Sequence, residues 1–228
     1  MDFPTLPAHL AQVREEIAAR QAKGGWTSPV RIVAVTKNHG PEAVRAAVDA
    51  GLILIGENRV QEALPKQEAT RGLPVEWHLI GSLQRNKVRQ VVGHFGLIHS
   101  IDRFDLAEEF QKRVPVGTRQ AVLLQVNCSG EPQKGGVEPA ACSALLDQLR
   151  ALDRIEVRGL MTMAEFTDDE VIQRAAFRRL RAVQEQGRAA GHALAELSMG
   201  MSADYGVAVE EGATLVRLGT LLFGTRDR

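Results

Sequence analysis

The chain has 228 residues, with 28 Lys and Arg set against 28 Asp and Glu and 44% apolar side chains, so it can bury one sizeable core and carries no net charge. A neutral total removes the general pull towards nucleic acid or anionic lipid. No apolar run approaches the roughly 20 residues of a membrane span, which leaves a small molecule as the expected partner. In chain order, residues 7–21 place Leu10, Val13, Ile17 and Ala18 at helical spacing, and Gly24-Gly25 stops that helix. The opening is acidic and amphipathic, unlike a secretory signal. VRIVAVTKNHG then reads as a strand buried on both faces that ends at Thr36-Lys37. Asn38, His39 and Gly40 break it, and Pro41 opens a helix over 41–50. LILIGEN is a second strand, followed by a helix over 60–70. VEWHLIG is a third, with another helix expected after its polar exit, and GLIHSID is a fourth, followed by a helix over 104–113. AVLLQVN is a fifth and leads into the glycine-rich loop CSGEPQKGG. A helix over 139–152, the strand IEVRGLM and a long charged helix over 168–190 come next. AELSMG and TLVRLGT complete the strands, with a short helical segment over 203–211 between them.

About eight strand and helix alternations in phase, with no linker or composition shift, specify a (β/α)8 TIM barrel of one domain spanning 1–228. The last strand is expected to lack its helix, and the N-terminal helix is the part available to cover that gap. A doubly wound open sheet is the rival, but no G-x-G-x-x-G opens a first βα turn. Cys128 and Cys142 form no C-x-x-C pair and have no His at zinc spacing, so two thiols in a reducing, cytoplasmic compartment are expected, and no metal.

Barrel chemistry is built at the carboxyl ends of the strands. Those ends carry Lys37, Asn58, His78, Asn127, Met161, residues 198–202 and residues 217–220. A lysine at a strand end either snorkels to solvent or, where desolvated, attacks an aldehyde as a neutral amine to give a Schiff base. Loops after the last two strands of a barrel frequently hold phosphate. Here MGMSADY offers Ser202 as a helix cap, and VRLGT offers Gly219 for close backbone approach with the Thr220 hydroxyl beside it. Each alone reads as an ordinary cap or turn. An amine and a phosphate cup on one rim point to a molecule with an aldehyde and a phosphate, of which pyridoxal 5′-phosphate is the commonest cofactor. A lysine-dependent sugar-phosphate aldolase is the alternative, and no acid–base pair for it is evident beside Lys37.

The segments AVTK, IGENRVQEA, WHLIGSLQRNK, IHSID, LLQVN, GLMTM, LSMGMSADY, VRLGT and LFGTR, in this order, resemble the pyridoxal-phosphate-binding homeostasis protein family, whose fold resembles the barrel domain of alanine racemase. The resemblance implies that Lys37 forms the Schiff base, that Ser202, Gly219 and Thr220 hold the phosphate, and that Arg217 faces the pyridine nitrogen. It also implies that Asn58, Met199 and His78 lie at the ring, although a histidine flanked by apolar residues is more often a satisfied core residue. Lys87 and Lys134 sit in exit loops as solvated side chains or phosphate contacts. Asn38 and His39 depart from the family pattern beside the lysine.

A guanidinium is donor only, so Arg217 leaves the pyridine nitrogen unprotonated and the ring a poor electron sink. The racemases take their second base, a tyrosine, from a β-domain after the barrel, whereas this chain ends at Arg228 and its one tyrosine, Tyr205, falls in a barrel motif. The expectation is therefore a monomeric carrier that moderates the level of free cofactor and releases it to apo-enzymes, without turnover. A weak amino-acid racemase is the enzymatic alternative. A basic cluster of Arg85, Lys87 and Arg89 gives a third reading, an RNA or protein contact, against a plain solvated helix face.

Overall fold

The computed structural model describes residues 3–224; residues 1, 2 and 225–228, including Thr225 and Arg226 of the LFGTR segment, lie outside the described residues. Eight parallel strands close in sequence order into a barrel: β1 (Arg31–Val35), β2 (Leu54–Glu57), β3 (Glu76–Leu79), β4 (Leu97–Ile101), β5 (Gln120–Gln125), β6 (Ile155–Met161), β7 (Glu196–Met201) and β8 (Leu215–Leu218). The ring closes where β8 pairs with β1, with Val33 opposite Arg217 and Ala34 opposite Leu218. The helices are α1 (Leu6–Gly24), α2 (Pro41–Asp49), α3 (Val60–Ala69), α4 (Phe104–Arg113), α5 (Cys142–Arg150), α6 (Glu170–Ala189), α7 (Tyr205–Glu210) and α8 (Thr220–Phe223).

Strand side chains alternate between two cores. Val33, Leu54, Leu97, Ala121, Leu123, Met161 and Leu215 fill the barrel interior. Their neighbours Ile32, Ala34, Ile55, Ile98, Val122, Leu124, Leu160 and Val216 face the helix layer. This alternation sets the site, because Val33, Val35 and Lys37 share a parity. The row that packs the interior continues upward into the lysine.

Leu6, Leu10, Val13 and Ile17 form the buried stripe of α1, which packs on α7 and α8. Gly25 ends that helix at φ 73°, returning its N–H to Ala22 O while Trp26 N–H returns to Gln21 O. Two expected features are corrected. The helix after the third strand is a six-residue 3-10 segment, Arg85–Gln90, in which only Val88 is buried, too few apolar positions to fix a longer helix. The eighth helix is present as the single turn Thr220–Phe223, started at Gly219 and stopped by Gly224 at φ 78°. Cys128 and Cys142 are both buried free thiols, pushed up to about 11 and about 12 by burial.

Candidate functional site

A cavity of about 510 Å³ opens at the carboxyl ends of the strands. Six of the residues singled out in the sequence line it: Lys37, Asn58, Ser202, Arg217, Gly219 and Thr220. Lys37 lies two residues beyond β1 and is exposed on the rim rather than desolvated, and it makes no hydrogen bond or ion pair among the described residues. Asn38 follows it at φ 66°, the one non-glycine residue at positive φ among the described residues. Asparagine tolerates that conformation, and the turn it makes lets β1 hand over to α2 immediately after the lysine.

The backbone under Lys37 is tied down from below. Thr36 N–H donates to Gly56 O. Lys66, reaching in from α3, donates to Thr36 O at 2.8 Å and to Glu57 Oε1 at 2.6 Å. The Thr36 hydroxyl donates to the same carboxylate oxygen. Glu57 is fully buried; burial pushes its carboxyl up, against the pull of Lys66 and Thr36. Sequence reading missed this group, since Lys66 follows Pro65 in an ordinary polar helix and its aim inward shows only in three dimensions.

Across the mouth, the N–H groups of Gly219 and Leu221 both point at Ser202 Oγ, each at 3.4 Å. Two backbone donors converging on one hydroxyl oxygen form a concavity suited to an anion. A Cβ on Gly219 would stand 3.3 Å from Val35 O, so the glycine is what lets this loop lie against the end of β1. Arg217, 4% exposed, donates Nη1 to Ser198 Oγ at 2.6 Å and Nη2 to Thr162 O at 2.9 Å. Burial lowers its guanidinium to about 10, opposed by Asp204, which still leaves it cationic at neutral pH.

Two expected members do not line the cavity. His78 points into the barrel but sits a layer lower, 1% exposed, bonded to His99 and Glu76. Met199 is fully buried in the core between barrel and helices. The pairing of β7 with β8 shifts between Ser198 and Met201, and Gly200 adopts φ 93° there, so Met201 takes the inward place that simple alternation denies it.

Of the other rim residues, Asn127 organises its own loop by accepting from Gly130 N–H and donating to Glu131 O. Lys134 donates to Ala164 O at 2.5 Å and pairs with Glu131, fastening the loop after β5 to the loop after β6. Lys87 is outside the cavity lining. Residues missed in the sequence include Gln125, Glu165, Phe166 and Asp204. Gln125 was legible by parity at the end of β5; Asp204 was not. Its buried carboxylate accepts Met201 N–H at 2.5 Å, closing the turn after β7, and burial raises its pKa. Tyr205 is outside the lining of this cavity. Among the described residues no group of three His, Cys, Asp or Glu could hold a metal, and no helix is long and apolar enough to cross a membrane.

The alanine racemase N-terminal domain model matches residues 9–227. A protein of Aquifex aeolicus named pyridoxal phosphate homeostasis protein is 44% identical, over 95% of this chain and 96% of its own length. PipY of Synechococcus elongatus, solved with PLP bound, is 39% identical with a TM-score of 0.83, over 96% of this chain and all of that one. Alanine racemase from Corynebacterium glutamicum shares the fold at 16% identity and a TM-score of 0.72, with 94% of this chain matching 62% of the enzyme. The chain belongs to the alanine racemase N-terminal domain family, among the pyridoxal phosphate homeostasis proteins.

Proposed function

We propose that this chain binds pyridoxal 5′-phosphate through a Schiff base on Lys37 and holds it for supply to apo-enzymes, without turnover. The observation that carries this is the meeting, on one cavity, of an unpartnered lysine amine, two converging backbone N–H donors and a buried guanidinium. Their chemistry fits the group: an amine for its aldehyde, an anion cradle at Ser202, Gly219 and Thr220 for its phosphate, and a donor at Arg217 for its ring nitrogen. Asn58 adds a polar wall. PipY, solved with PLP bound, is the relative that supports the same ligand here.

Bound, the cofactor supplies an electrophilic carbon and a ring that withdraws electrons best when its nitrogen is protonated. Arg217 stays cationic and can only donate, so it opposes that protonation. Deprotonating an amino acid on both faces needs two bases within about 3 Å of the moving proton. Lys37 is one. Tyr205 is outside the cavity lining; of the two carboxylates that do line it, Asp204 has an oxygen committed to Met201 N–H and Glu165 is exposed on the loop after β6. These placements support a carrier over a racemase. The same reading has residues 1–228 acting as one domain, as a monomer in the cytoplasm, with light scattering to check the monomer.

The test is to load purified protein, fix the cofactor with borohydride and map the labelled peptide. Label on Lys37 supports the reading; label elsewhere, or none, defeats it. Racemisation of any amino acid by protein free of host racemases, abolished by Lys37→Ala, would establish the enzymatic alternative.

A further inference from the structure

The interiors of such barrels are usually filled by branched apolar side chains. Here three polar side chains stand in that space, Ser198 and His99 fully buried and His78 1% exposed. Ser198 Oγ lies 2.9 Å from His99 Nδ1, His99 Nε2 lies 3.0 Å from His78 Nδ1, and His78 Nε2 lies 3.1 Å from Glu76 Oε1. Glu76 opens β3, at the end of the barrel opposite the cavity, and is exposed there. With Arg217 donating to Ser198, the five residues form an unbroken chain through the barrel from the cavity to the far face.

The two ends decide its direction. A guanidinium only donates and a carboxylate only accepts. Ser198 receives from Arg217 and passes its own proton's bond to His99 Nδ1; His99 donates from Nε2 to His78 Nδ1; His78 donates from Nε2 to Glu76. The reverse polarity would face a bare His78 Nε2 towards the carboxylate unless a second proton were added to the His78 ring. Burial, with His78 and Arg217 nearby, pushes His99 well below its ordinary value, which keeps that ring neutral. His78 in turn holds the Glu76 carboxyl low. Arg31, Arg158, Glu156 and Glu196 are the other charged groups around this lower end among the described residues.

We infer that Ser198 and His99 are positioning residues for Arg217, held in one hydrogen-bonding sense by Glu76 through His78. Nη1 is fixed on Ser198 and Nη2 on Thr162 O, so two strands set the guanidinium plane and leave its remaining N–H edge for the cavity. The inference rests on the cofactor reading for what Arg217 faces, but the relay itself is a property of the protein alone. It gives a surface carboxylate at the bottom of the barrel a hold on a donor at the top.

Nitrogen-15 NMR of the full chain without cofactor tests the relay directly. His99 is expected as the neutral Nε2–H tautomer with Nδ1 bare, His78 as a donor from Nε2, and the Arg217 side-chain N–H resonances as sharp signals that broaden in Ser198→Ala and return in Ser198→Thr. A proton on His99 Nδ1, or sharp Arg217 resonances in Ser198→Ala, overturns the inference. In loaded protein, Ser198→Ala should shift the absorption band and release cofactor about ten-fold faster. Glu76→Gln should move the band in the same direction by less, while Glu196→Gln, which alters the neighbouring carboxylate paired with Arg31, should leave it in place. Superimposable bands in wild type, Ser198→Ala and Glu76→Gln likewise overturn it. Loss of any Lys37-linked band in the wild type defeats the cofactor reading instead, and the tautomers then decide the relay by themselves.

Discussion

Lys66 holds the carbonyl oxygen of Thr36 at 2.8 Å, one residue before the lysine that faces the cavity. The same ammonium is paired at 2.6 Å with Glu57, whose other oxygen, Oε2, is buried without a hydrogen-bond partner among the described residues. The cationic partner is thus what makes a fully buried carboxylate tolerable, and it also fixes the end of β1. Lys66→Met should cost about 3–5 kcal/mol, the range for leaving one member of a buried pair alone. The double variant Glu57→Leu/Lys66→Met should recover most of that loss, because no charge is left uncompensated. Denaturant titration reads both values. Cofactor retention should stay low in the double variant, since Thr36 O has lost its donor while the fold has not.

At the mouth, the amine and the anion cradle contribute in different ways. Lys37→Ala should abolish the borohydride-fixed label while leaving weak binding through the phosphate. Ser202→Ala should keep the label and weaken retention by about 1–2 kcal/mol, roughly ten-fold, the worth of a hydrogen bond to a charged group. Dialysis followed by absorbance separates the two. Equal loss in both variants would show that the cradle, not the amine, dominates.

Away from the site, Glu210 on α7 is gripped by Arg20 and Lys23 of α1 and by Arg174 of α6. Despite the opposing effect of burial, these partners lower its carboxyl to about 2. The unfolded chain releases that proton near the ordinary value of about 4.3, so the folded state binds fewer protons between the two. The stabilisation is fully present above about pH 5 and is lost as pH falls through about 2. Glu210→Gln should therefore unfold at lower denaturant than wild type at pH 7. The gap between the two midpoints should narrow steadily on acidification below about pH 4 and close only once the pH is below about 2.

Alternation made much of this legible from the chain. Val33, Val35 and Lys37 fall on one face by counting in twos, as do Leu215, Arg217 and Gly219, and both rows do reach the cavity. Counting in twos also sends His78 inward, but depth along the barrel axis is not a property of parity, and His78 lies below the site. α8 escaped notice because four residues are too few to show a helical period. The Glu57–Lys66 pair escaped because a lysine in a polar helix looks the same whether it faces water or a carboxylate. The missed exchange of Met199 for Met201 has a local cause. A Cβ on Gly200 would stand 2.6 Å from Ala208 Cβ, and with Gly200 at φ 93° β7 spends three residues from Ser198 to Met201 where β8 spends two from Leu215 to Arg217, an extra residue that a linear count cannot register.

That exchange gives the last prediction, because the two methionines should respond oppositely to one substitution. Met199 is fully buried among apolar side chains between the barrel and its helices, so Met199→Ala leaves a cavity and should cost about 2–5 kcal/mol. Its effect on cofactor release from the folded fraction should be small, since no part of it lines the cavity. Met201 is 36% exposed and lines the cavity, so Met201→Ala should change stability by no more than about 0.5 kcal/mol. Release, however, should quicken in this variant, because an apolar wall of the cavity is removed. Thermal unfolding and cofactor release measured on both variants decide the matter. Alike responses, with both variants unstable and tight, would mean that β7 runs through its turn in simple alternation, since residues 199 and 201 share a parity.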